Sequence, residues 1–222
     1  MASKTRCRLM ALLVMGLLTA PMASAAPAAP SLLQRIRSLM GLSRKIPVAA
    51  GGSRGSSPMA VCLVSPVISL DGQGRATAVL PLPNPTILAA EPLNEMRILR
   101  GQQMIWQQRA SSTTAIEGPI AWPVEPVQPR DELTLLLRPR RAAGGNFAAV
   151  SLQGAPAADQ RRAEALVTGL GRRPMAWLEA VEQSLQQRQV ALAWSLLLSP
   201  QAPRSPELDE LRLELRRRGC GA

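Results

Sequence analysis

The side chains able to do chemistry are few in kind. The chain carries 15 Asp and Glu and no His, so any proton transfer would fall to carboxylates. Without His the usual general base, the Ser-His-Asp and Cys-His arrangements and most zinc or iron sites are excluded. Two carboxylates facing one bond could still act as a glycosidase pair. Asp131 and Glu132, however, are neighbours where a turn enters a strand, so their side chains diverge. Glu207, Asp209 and Glu210 stand at a helix start, where negative charge opposes the dipole. The sequence therefore assigns no catalytic residue, no cofactor and no metal ligand.

Three further groups remain. Ser111, Ser112, Thr113 and Thr114 form a hydroxyl run that could bind sugar or phosphate, although turn hydroxyls commonly cap their own backbone. Trp106 and Trp122 are the candidate binding platform, with the competing expectation that so sparsely aromatic a chain uses them as core. Cys62 and Cys220 are a candidate disulfide, because Cys7 falls within an N-terminal leader.

That leader spans residues 1–25. Three basic residues precede the apolar run from Leu9 to Leu18, and small residues surround Ala25, the pattern of a cleaved signal peptide. Its removal lowers the formal charge from +11 by three. The arginines that remain are scattered, and with no Tyr and one Phe the chain lacks the interleaved aromatics of a nucleic-acid surface. The expected partner is another envelope protein rather than nucleic acid.

The elements that would position these residues follow from periodicity. Residues 26–58 read as a spacer, an amphipathic helix and a Gly/Ser/Pro linker. In that helix Leu32, Leu33 and Ile36 share a face while Arg35 and Arg37 flank it, a candidate contact with an anionic membrane surface. Residues 59–153 alternate as short strands with turns at Asp71-Gly72, Gly101, Gln128-Pro129-Arg130-Asp131 and Gly144-Gly145. Leu133, Leu135 and Leu137 alternate with Thr134, Leu136 and Arg138, as a strand buried on one face requires. Residues 154–222 read as helices, broken near Gly171, near Gln186-Gln187-Arg188-Gln189 and before Ser205-Pro206. The fold class expected is α+β: an antiparallel β-sandwich followed by a small helical domain.

The turn and strand from Val127 to Leu135 resemble the "hydrophobic, x, Pro, Gly, x, x, Tyr" element of fibronectin type III and immunoglobulin-like sandwiches, with Arg130 in place of Gly and Leu133 in place of Tyr. The wider pattern resembles an uncharacterised domain of exported cyanobacterial proteins, through residues 51–55, Cys62, Thr77 to Pro81, Pro85 and Ile120 to Pro123. The stretch from Trp177 through Ala193 to Leu215 resembles a degenerate tetratricopeptide-type helical pair. These resemblances imply a sandwich fold and export, and assign no activity. The functional expectation is an exported, non-catalytic structural or partner-binding protein of the periplasm or cell envelope. Its alternatives are a carboxylate-dependent hydrolase and a protein tethered to the envelope by the basic helix.

Overall fold

The computed structural model describes residues 30–42, 49–51, 59–140, 142 and 146–218. The leader, most of the Gly/Ser linker, the Gly144-Gly145 turn and Cys220 lie outside the described residues. The elements are, in order, α1 (Leu32–Leu42), β1 (Ala49–Gly51), β2 (Met59–Val61), β3 (Leu63–Ser65), β4 (Ser69–Leu70), β5 (Ala76–Leu80), β6 (Leu88–Ala89), β7 (Leu93–Arg100), β8 (Gln103–Arg109), β9 (Glu132–Pro139), β10 (Ala148–Gly154), α2 (Ala157–Leu170), α3 (Pro174–Gln186), α4 (Val190–Leu197) and α5 (Pro206–Arg218). The chain is α+β.

Six strands form the principal sheet, in the order β4-β5-β10-β9-β7-β8. Its inner face is set by the period of two: Leu133, Leu135 and Leu137 on β9 and Ala148, Val150 and Leu152 on β10 are all buried. The neighbouring strands pair antiparallel except β5 and β10, which run parallel from Ala76↔Val150 to Leu80↔Gly154. This corrects the expectation of a wholly antiparallel arrangement. A parallel pair needs a long crossover, and the chain from β6 through β9 provides it.

Two small antiparallel pairs, β1 with β2 and β3 with β6, make up the rest of the β structure. The β3–β6 pair is buried on both faces. Leu63 and Ile87 join the core of the principal sheet, whereas their neighbours Val64 and Leu88 join the core of the helices. The molecule thus has three layers: the sheet, a thin β layer and the helices.

The helices begin and end near the expected breaks. Pro174 opens α3, and the Ser205 hydroxyl accepts from the Leu208 N–H at 3.3 Å at the start of α5. The helix α1 belongs to the 26–58 segment. It packs on α3, with Ile36 and Met40 buried in the helical core and Leu32, Leu33 and Leu39 partly buried against it. The helical unit is completed by a segment from the other end of the chain.

The turn before β9 holds the end of β10. The Asp131 N–H donates to Gln128 O at 3.0 Å, and Arg130 sits at φ 62°. Pro at the second position and a left-handed third residue match a type II turn, so the resemblance's Gly position is one that needs positive φ. The Arg130 N–H donates to Gly154 O at 3.0 Å and the Gly154 N–H to Asp131 O at 2.9 Å. A Cβ on Gly154 would lie 2.1 Å from Gln128 O, so only glycine lets the two backbones meet.

Candidate functional site

A cluster of ionisable side chains lies on the outer face of the sheet, at one end of β7, β8 and β9. On β7, Met96 and Ile98 face the core, so Glu95 and Arg97 face outward. Register puts Glu95 opposite Arg109 of β8 and Arg138 of β9, and Arg97 opposite Gln107. Glu95 is only 2% exposed. Its Oε1 accepts from Arg97 at 2.7 Å, from Arg109 at 3.3 Å and from the Gln107 amide, and its Oε2 accepts from Arg138 at 2.5 Å. The Phe147 ring centroid lies 4.5 Å from the Arg97 guanidinium carbon and 5.5 Å from that of Arg138, a cation–π contact for each.

Burial is the largest single influence on the Glu95 carboxyl and pushes its pKa up. The hydrogen bonds from Arg97, Gln107 and Arg109 and the charge of Arg97 act together in the other direction, and the net pKa lies below the ordinary value. The group is a fixed anion with a surplus of cations around it. Such a cluster can hold a fold or attract a negative partner; it does not present a general acid.

The expected site residues are dispersed. Trp106 and Trp122 are half-buried against the β core rather than forming one platform, and the Trp122 Nε1–H donates to Glu125 O at 3.0 Å. In α1, Ile36 is wholly buried, Arg35 forms a two-pronged pair with Glu182 at 2.6 and 3.2 Å, and Arg37 bridges Glu210 and Glu214. A membrane contact through Leu32, Leu33 and Ile36 would therefore require α1 to leave α3. Among the described residues no helix is long and apolar enough to cross a membrane. Cys62 is disulfide-bonded, and its partner lies outside the described residues.

Of the carboxylates weighed as catalytic, Asp131, Asp209 and Glu210 pair with arginines. Asp131 accepts from the Gln128 N–H at 3.0 Å and lies 3.5 Å from Arg100. Glu210 and Glu214 do share a cleft of about 410 Å³, but Arg37 and Arg217 line it too, and Arg37 occupies the space between the two carboxylates. The hydroxyl run caps itself: the Thr114 N–H donates to Ser111 Oγ at 2.9 Å, and Arg140 donates to Ser112 O at 2.9 Å. Among the described residues no group of three or more acidic or thiol side chains could hold a metal ion.

Sequence reasoning missed the Glu95 cluster. Its signal was the placement of Glu95, Arg97, Gln107, Arg109 and Arg138 at outward positions of three strands, which converge only once β7 is known to lie between β8 and β9. Comparison of the chain with protein-family models, curated proteins and solved structures finds no match.

Proposed function

We propose that this chain is an exported, non-catalytic partner-binding protein of the periplasm or cell envelope, built on a sandwich-like β unit braced by helices. The observation that carries the reading is how its ionisable groups are employed. With no His in the sequence, acid–base chemistry falls chiefly to carboxylates, and the hydrolase alternative needs two of them open to one substrate. Glu95, Glu182, Glu210 and Glu214 are instead held by arginines that tie strand to strand or helix to helix. The disulfide at Cys62 supports an oxidising compartment, as does the leader-like N-terminus. The sandwich reading is supported by Val61, Leu63 and Ile87, which pack over the sheet's inner face in one core with Leu133, Leu135 and Leu137.

The test uses the mature chain, residues 26–222. A pull-down from its native envelope should recover one partner at fixed stoichiometry, and a panel of glycosides and esters should give no turnover. Turnover that disappears when Glu210→Gln and Glu214→Gln are combined would establish the hydrolase alternative instead. Recovery of the protein from cytoplasm with its leader intact would overturn export.

A further inference from the structure

We propose that the outer edge of β8 is a strand-addition site for an extended segment of a partner protein in which carboxylates alternate with apolar side chains. The inference rests on the partner-binding reading and specifies where and what it binds.

The backbone of the edge is open. β8 is the last strand of the sheet. The Ala110 N–H donates to Asn94 O at 2.9 Å, and by alternation of the antiparallel ladder Gln108 and Trp106 also bond to β7. The N–H and C=O groups of Gln107 and Arg109 consequently point away from the sheet, and no described residue hydrogen-bonds to them. Natural sheets protect such edges with Pro, charged side chains, β-bulges, a covering segment or shortness. The opposite edge, β4, is two residues long. β8 has seven residues and no Pro, and its protection is confined to Arg109 at one end and one ladder irregularity near the other.

The two faces of that edge differ. Outward lies Arg109, whose side chain is 66% exposed and reaches Glu95 through Nε alone, at 3.3 Å. Behind it Arg97 and Arg138 bring the cluster to three guanidinium groups against one carboxylate. Inward lie Ile105 and Trp106, partly buried against the β core with room to be covered further, and beyond them the exposed Gln108. The ladder irregularity between Ile98 and Leu99 turns both of these adjacent residues to the core side and leaves Met104 exposed. A strand added here would place one set of side chains beside Arg109 and the alternate set over Trp106. Charge complementarity selects carboxylates for the first set, and continuity of the core selects apolar side chains for the second.

Fluorescence anisotropy of the mature chain with a labelled ten-residue peptide alternating Glu and Val tests this, with a Lys/Val peptide and inorganic polyphosphate as comparisons. The Glu/Val peptide should bind best. Arg109→Glu should weaken it at least tenfold and transfer the preference to the Lys/Val peptide, and Arg109→Gln should fall between. Binding should slow amide exchange at Gln107 and Arg109 while leaving Gln108, already in the ladder, unchanged. Equal binding by wild type and Arg109→Glu, unchanged exchange at Gln107 and Arg109, or tighter binding of polyphosphate would each overturn the proposal. An Arg109→Glu protein that still recovers its partner from the envelope would sink this site while leaving the broader reading intact.

Discussion

At Glu95, three guanidinium groups hold in place an anion that burial alone would drive toward its neutral form. Its pKa is lower in the folded protein than the ordinary 4.5, so the unfolded chain takes up the proton more readily. The stabilisation is therefore complete above about pH 4.5 and is lost as pH falls through the lower folded value. Urea unfolding between about pH 3 and pH 6 should show wild type losing stability on acidification more steeply than Glu95→Gln. At neutral pH that variant should be less stable by about 1–3 kcal/mol, a modest cost for a buried pair because the arginines can turn to water. A variant with unchanged stability and unchanged pH slope would show the cluster to be structurally idle.

Arg130 makes the opposite kind of prediction. A non-glycine residue in the left-handed region is strained by about 1 kcal/mol, and Arg130 is exposed at φ 62°. Arg130→Gly should raise stability by roughly 0.5 kcal/mol, the gain being reduced by the greater freedom of glycine in the unfolded chain. Chemical denaturation reads the sign directly, and destabilisation would mean that the arginine side chain matters to the turn.

Among the elements, α1 carries the most informative arrangement. Its apolar stripe has the same spacing whether it meets lipid or another helix, and periodicity cannot tell those apart. In this fold the arginines that flank the stripe pair with protein carboxylates. Glu182 on α3 and Glu210 and Glu214 on α5 lie where Arg35 and Arg37 can meet them, so both charge and shape are matched by protein. Ile36→Ala should cost about 2–5 kcal/mol, as cavity-forming core substitutions do. The measurement is the thermal or urea midpoint; a change below about 0.5 kcal/mol would mean that α1 is not part of the core.

For the whole molecule, the thin β3–β6 layer makes the sheet and the helices mutually dependent. Its residues alternate between the two cores, and the buried Thr86 hydroxyl donates to Leu198 O at 2.8 Å across the join. Neither side can open without exposing apolar surface on the other. One cooperative transition is expected, with circular dichroism and tryptophan fluorescence coinciding. Trp106 and Trp122 report the β core and Trp177 and Trp194 the helical core, so single-tryptophan variants that melted at different temperatures would show two independent domains. Thr86→Val should lower that shared midpoint, because it leaves the buried Leu198 carbonyl without its donor.

The order of strands then helices, the inward leucines of β9, the turn at 128–131 and the extent of α2 were legible in the sequence. Each depends on interactions within about a dozen residues: period, proline geometry and helix boundaries. The absence of His likewise bounded the chemistry before any folding was considered. Only tertiary structure decided that β5 runs parallel to β10, that α1 joins helices more than a hundred residues away, and that Glu95 gathers arginines from three strands. These outcomes depend on which faces meet, and the side chains of one strand or helix do not encode the identity of its neighbour.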